Sequence, residues 1–222
     1  AQGFSLGCCD YIYKPFKSKI VIARVMMHLE LIRQRKMLDE IAHVDALTGV
    51  NNRRKMDIVL EDEVAANKLE NTTLLVAILD IDYFKPYNDN YGHSAGDIAL
   101  REVGQALRDI CKRPRDFVAR YGGEEFVIIL PDCDTVGAEV ILGNIAQAIN
   151  DRMIKHEYSS AAQQLTVSMG AVVVKSSEST AVASIMKQAD CLLYQAKNNG
   201  KNQFSFYSKR DSDLSLGQDV QL

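Results

Sequence analysis

The hydrophobic pattern changes period several times along the chain, and each change predicts an element. From Ile20 to about Ala42, Val25, Leu29 and Ile32 keep a 4–3 spacing, which predicts one long helix with a coiled-coil seam. Arg35, Lys36 and Asp39 interrupt the seam before Leu38 and Ile41 resume an apolar stripe. Such a helix either pairs with its copy or docks singly on the domain that follows. Asp45 and Thr48 offer capping and turn chemistry ahead of a helix through Arg53 to Ala66. Thr73 to Ile81 is a continuous apolar run ending in Asp80-Ile81-Asp82, the pattern of a buried strand with carboxylates at its exit. A helix from about Ala95 to Cys111 follows, with Ile98, Val103, Leu107 and Ile110 on one side. Phe117-Val118-Ala119 and Phe126-Val127-Ile128-Ile129-Leu130 flank Gly122-Gly123, which predicts a β-hairpin. Val136 to Met153 reads as a helix with Val140, Ile141, Ile145 and Ile149 as its stripe. Leu165 to Val174 alternates as a strand, Val182 to Lys197 is helical, and Gln203 to Tyr207 is a last strand.

The order βαββαβ, with a capping helix and an end strand, predicts an α/β (α+β) domain with an antiparallel-rich sheet and helices on one face. The organisation expected is a short opening piece over 1–18, a linker helix over 19–43, the main domain over 44–208 and a disordered polar tail over 209–222.

Composition narrows the class without naming a chemistry. The 222 residues are 47% hydrophobic and 25% charged, the balance of an ordinary globular protein. A net charge of −3 gives no electrostatic reason to expect nucleic-acid binding. Cys8, Cys9, Cys111, Cys133 and Cys191 match no zinc spacing, and their odd number argues against a disulfide framework. They are expected to be reduced thiols in the cytoplasm. No apolar run approaches a membrane span, and no signal peptide is visible.

Chemistry concentrates at two strand ends. Tyr121-Gly122-Gly123-Glu124-Glu125-Phe126 places two carboxylates on a tight turn, and Asp80-Ile81-Asp82 ends another strand. In an antiparallel sheet those ends adjoin, and carboxylates meeting there suit a hard cation used for phosphoryl or nucleotidyl transfer. The plainer reading of the turn alone is an ordinary hairpin with a solvated acidic shoulder. Lys85 is placed to meet phosphate charge. Asn88-Asp89-Asn90-Tyr91-Gly92-His93-Ser94-Ala95-Gly96-Asp97 reads as a loop rich in side chains that recognise a base edge.

Taken together these motifs resemble the GGDEF family of diguanylate cyclases, with Gly122-Gly123-Glu124-Glu125-Phe126 as the GGEEF form. The resemblance runs from about Asp45 to Tyr207. It includes Asp45-Ala46-Leu47-Thr48-Gly49-Val50-Asn51-Asn52-Arg53-Arg54, the Asp80 to Asp97 block, and Arg120-Tyr121. Thr166-Val167-Ser168-Met169-Gly170 and Ala189-Asp190-Cys191-Leu192-Leu193-Tyr194-Gln195-Ala196-Lys197 complete it.

The resemblance implies a palm-like core and conversion of two GTP to cyclic di-GMP and two pyrophosphates across a homodimer. It implies a pair of Mg²⁺ ions, with Mn²⁺ as an alternative, on Asp80, the carbonyl of Ile81 and Glu124. Glu125 would activate the hydroxyl or hold metal. Asn88 and Asp97 would read guanine, and His93 would lie along the nucleotide. Phe84 (through its backbone), Lys85, Lys197 and Lys201 would meet phosphates. By themselves, His93 is a loop histidine, Lys197 a solvated helix-end cation, Phe126 core, and Asp82 a structural carboxylate. His28, His43 and His156 carry no assigned chemistry.

Arg113-Pro114-Arg115-Asp116 precedes the hairpin. In this family an Arg-x-x-Asp at that distance forms an inhibitory product site, which falls here on Arg113 and Asp116. A further arginine, usual on the next helix, is replaced by Asn144. Val50 stands where leucine is usual, and Lys201 where an arginine often binds phosphate. Gly7-Cys8-Cys9-Asp10-Tyr11-Ile12-Tyr13-Lys14-Pro15-Phe16 resembles the end of a receiver domain. That implies a response regulator answering to a histidine kinase. Two other functions compete: a catalytically silent nucleotide sensor and a different nucleotidyl transferase. Asn88 and Asp97 favour guanine over adenine.

Overall fold

The structure, a computed structural model, describes residues 10, 12, 14–176 and 181–208, and of residues 36–41 only the backbone. Most of the expected opening strand, Cys8 and Cys9, the resumed stripe at Leu38 and Ile41, and the tail over 209–222 lie outside the described residues.

The chain divides into two units, Ala1–Ala42 and His43–Leu222. The first is dominated by helix α1, Ser18–His43. Its seam positions Val25, Leu29 and Ile32 are all more than half exposed. Arg24 is paired with Asp10 near its start.

The second unit is a six-stranded sheet. Its strands are β1 (Asn51–Asn52), β2 (Thr73–Ile81), β3 (Phe117–Gly122), β4 (Glu125–Pro131), β5 (Val167–Lys175) and β6 (Phe204–Ser208). Their spatial order is β1-β3-β4-β2-β5-β6. The three central pairings are antiparallel, and the outer pairs β1–β3 and β5–β6 are parallel.

Helices α2 (Arg53–Glu70), α3 (Phe84–Tyr91), α4 (His93–Ile110), α5 (Thr135–Asn150) and α6 (Val182–Asn198) cover both faces, not one. The reason lies in β2. Its run has no polar face, so both sides need cover. Leu75, Leu79 and Ile81 join Phe126 and Ile128 in a core with Leu100, Val103 and Leu107 of α4 and Leu142 and Ile145 of α5. Leu74, Val76 and Ile78 join Val127 and Ile129 under Met56 and Leu60 of α2 and Ile185, Ala189 and Leu193 of α6. A Cβ on Gly170 of β5 would lie 2.1 Å from both the Ala189 carbonyl and the Leu193 nitrogen, so glycine there lets α6 rest against the sheet.

Three details differ from the sequence reading. Ile98 and Val140 are exposed, because the buried stripes run through small residues, Ala99 and Ala106 on α4 and Ala138 on α5. The N-cap of α2 is Asn52, whose side chain accepts from the Lys55 N–H, a cap worth about 1 kcal/mol. Asp45 and Thr48 build the preceding turn instead, the Thr48 N–H and hydroxyl both donating to Asp45. The supposed loop from Asn88 to Asp97 is two helices broken at Gly92, whose φ of +84° an L side chain rarely adopts.

Candidate active site

The strand register brings the two acidic ends together. Asp80 is the cross-strand partner of Glu125 in the β2–β4 ladder. Strand alternation puts both on the face of Ile78 and Val127, beneath α2 and α6. Lys197 of α6 meets Asp80 there, with Nζ 2.9 Å from Oδ2. Burial pushes the Asp80 carboxyl up to about 6 even though Lys197 pulls it down, and the charges of Glu124 and Glu125 push it further. Burial also raises Glu125, against the pull of Lys197 and with Glu124 adding to the rise. Asp80 and Glu125 thus share one strand end with the Lys197 ammonium, and the charge of Glu124 reaches both.

On the other side of the hairpin tip a cleft of about 410 Å³ opens over α3 and α4. Phe84, Lys85, Asn88, His93, Asp97 and Glu124 all line it. Six predicted site residues therefore share one cleft, while Asp80, Glu125 and Lys197 gather behind the tip. The Oδ1 of Asn88 is buried there with no hydrogen-bond partner. A buried, unpaired amide oxygen costs about 1–3 kcal/mol, so this atom is set up for a ligand donor. Gly96 makes room for it: a Cβ at that position would stand 1.9 Å from Asn88 Oδ1.

The turn itself is held by a residue whose role was not foreseen. Arg120 donates to the Gly123 carbonyl from Nε at 3.0 Å and from its terminal nitrogen at 2.7 Å. It also reaches Asp45 at 3.3 Å. Burial alone would raise Asp45; hydrogen bonds from Thr48 and the charge of Arg120 outweigh it and hold the carboxyl below its usual range. Gly123 has φ +56°, where a Cβ is strained. Nothing local in the sequence couples Asp45 to Arg120; the short parallel pairing of β1 with β3 and the Asn51 amide donating to the Val118 carbonyl bring their neighbourhoods together.

Asp82 is structural. It is 1% exposed and accepts from the Thr166 hydroxyl at 2.8 Å, the Ser168 hydroxyl at 2.7 Å and the Asn202 N–H at 3.0 Å. These bonds tie the exit of β2 to β5 and to the turn that carries Lys201. Lys201 lies 4.7 Å over the Tyr83 ring.

Arg113 and Asp116 lie at the far end of β3 from the Gly123 tip. Arg113 Nε donates to Asp116 Oδ1 at 2.8 Å and its N–H to Oδ2 at 2.9 Å. The Asp116 side chain is 3% exposed and the Arg113 side chain 50%. The pair faces outward through its arginine. Arg115 anchors the same turn to Glu63 and Glu70 of α2. Asn144 is exposed on α5.

The oxygen donors at the tip fit a hard divalent cation in chemical type, and such a charge would offset the burial, and the lesser carboxylate repulsion, that raise Asp80 and Glu125. Among the described residues no three acidic, histidine or cysteine side chains converge as a ready cage. No helix among the described residues is long and apolar enough to cross a membrane.

An antiparallel-rich sheet with helices on both faces, and a cleft at the end of its central strands, is a palm-like α/β domain. Residues 42–203 match the family described as diguanylate cyclase, GGDEF domain, and the chain belongs to that family. It is 33% identical over 208 residues to the response regulator PleD of Caulobacter vibrioides, covering 90% of this chain and 45% of PleD. It is 36% identical over 175 residues to the diguanylate cyclase DgcP of Pseudomonas aeruginosa, covering 79% of this chain and 24% of DgcP. The chain thus spans less than half the length of these relatives. Among solved structures, the coiled coil and GGDEF domain of DgcB from Caulobacter crescentus, in complex with c-di-GMP, superposes with a TM-score of 0.73 at 30% identity. That match covers 85% of this chain and 98% of the other.

Proposed function

We propose that this chain is a diguanylate cyclase domain, converting two GTP to cyclic di-GMP and two pyrophosphates across a pair of facing copies. The observation that carries the proposal is the cleft in which the orphaned Asn88 Oδ1, Asp97, Lys85 and Glu124 meet. Asn88 and Asp97 offer complementary groups to the guanine edge, a carboxylate accepting from the ring and exocyclic N–H groups. Lys85 and the free N–H groups of the first turn of α3 hold phosphate oxygens, since a helix N-terminus favours anions. His93 lies along the nucleotide. Lys197 and Lys201 meet the outer phosphates, Lys197 leaving Asp80 to do so.

Asp80, the Ile81 carbonyl and Glu124 are the residues that would hold Mg²⁺, or Mn²⁺ in its place. When bound, the metal neutralises triphosphate charge and polarises the phosphoryl centre. Glu125 stands beside it, either as a further ligand or as the group that takes the 3′-hydroxyl proton. Because each copy holds one GTP, the chemistry is positioning and electrostatics.

Arg113 with Asp116 forms a product-binding brake, loosened by Asn144. The opening residues are the end of a receiver domain, which makes the chain the cytoplasmic output part of a response regulator driven by a histidine kinase. The test is Glu124→Ala. It is expected to keep the thermal melt of the wild type and lose cyclic di-GMP formation from GTP; retained turnover would remove Glu124 from the site and the proposal with it.

A further inference from the structure

The segment between α5 and β5 contributes nothing to the cleft, yet it grips the helix that does. Tyr83, Tyr87 and Tyr91 recur every four residues and so lie along one side of α3. The segment touches all three. The His156 ring stands edge-on to Tyr87 at 5.0 Å and to Tyr91 at 6.3 Å. The Glu157 N–H donates to the Tyr91 hydroxyl at 3.0 Å, and the Ser160 hydroxyl to that of Tyr83 at 2.5 Å.

The critical contact is with the backbone. His156 is fully buried, and its Nε2 lies 3.1 Å from the Tyr83 carbonyl. A carbonyl can only accept, so Nε2 is the donor, while Nδ1 is buried with no hydrogen-bond partner. The same carbonyl accepts the first helical bond of α3, from the Tyr87 N–H at 3.0 Å. Tyr83 itself is left-handed, with φ +55°, a conformation a tyrosine holds only when its surroundings fix it. The next two residues are Phe84 and Lys85, at the mouth of the cleft.

We infer that His156 is a positioning residue: through the Tyr83 carbonyl it fixes the strained turn from which the first N–H groups of α3 and Lys85 meet the triphosphate. The inference rests on the reading of that turn as the triphosphate site. Base recognition belongs to Asn88 and Asp97, beyond this turn, so the effect of His156 falls on the outer phosphates.

The experiment measures GTP and GMP affinity in Mg²⁺ buffer for wild type, His156→Phe and His156→Gln. Phenylalanine keeps the edge contacts with Tyr87 and Tyr91 and loses the donor; glutamine keeps a donor at nearly the same reach. His156→Phe is expected to bind GTP about tenfold more weakly, the effect of one lost buried hydrogen bond. Its GMP affinity should move less than about twofold, and His156→Gln should recover most of the GTP loss. GTP affinity unchanged in His156→Phe, equal loss for GTP and GMP, or equal loss in both variants would overturn the inference. Should His156→Phe lack a cooperative melt, Ser160→Ala carries the test from the exposed side, with GTP weakened about threefold expected and no change overturning it. Wild-type preference for GTP over GMP tests the triphosphate reading separately, and its absence overturns both.

Discussion

Replacing Gly96 by alanine separates the base-reading function from stability. The added Cβ would stand 1.9 Å from Asn88 Oδ1, 3.0 Å from Asn88 Cγ and 3.3 Å from the Phe84 ring. The nearest atom is the free end of a side chain, so Asn88 turns out of its place while the α4 backbone stays. If Asn88 reads guanine as proposed, the loss is one or two hydrogen bonds, about 1.5–3 kcal/mol, or roughly ten- to a hundredfold in affinity. Stability moves the other way: alanine in a helix is favoured over glycine by about 0.5–1 kcal/mol, which offsets the small shift asked of Phe84. Urea unfolding should therefore change by less than about 1 kcal/mol while KM for GTP rises at least tenfold. Wild-type KM in Gly96→Ala, or a destabilisation of several kcal/mol, would refute the reasoning about Asn88.

Other consequences are separately measurable. Asp82→Ala strands the hydroxyls of Thr166 and Ser168 in a buried site and should destabilise the domain by about 3–5 kcal/mol in urea. Gly170→Ala sets a Cβ 2.1 Å from backbone atoms of α6, which cannot swing aside, and should cost about 3 kcal/mol or abolish soluble expression. Asp80 has a folded-state carboxyl raised from 3.8 to about 6, so its contribution is present at acid pH and lost as pH rises through that window. Asp80→Asn should accordingly raise the metal-free melting temperature at pH 7 to 8 and not at pH 4, an effect of up to about 3 kcal/mol. Arg113→Ala should relieve inhibition by cyclic di-GMP, and equal inhibition in both proteins would remove Arg113 from the brake.

The sequence carried the fold wherever a pattern was local and strong. β2, the hairpin and α6 fall within a residue or two of their expected limits, because an apolar run and a Gly-Gly turn leave few alternatives. The sidedness of the sheet did not follow from the order of elements, although the unbroken run of β2 already demanded cover on both faces. Ile98 and Val140 fit an apolar stripe by spacing yet stay exposed, because the close-packed faces of α4 and α5 run through alanines such as Ala99, Ala106 and Ala138. In the site, Asp80 opposite Glu125 was legible from strand ends alone. Arg120 holding Gly123, and His156 holding Tyr83, were not. Both act on backbone carbonyls, and a sequence records no such partner.

The central claim is tested most directly by the product of the reaction. GTP and Mg²⁺ are supplied to the chain held as a dimer, and the nucleotides formed are identified by mass. One cyclic di-GMP for every two GTP consumed, with two pyrophosphates released and no turnover of ATP, is the result predicted. Cyclic GMP, a linear dinucleotide as the end product, or unconsumed GTP from a folded dimer would contradict the account.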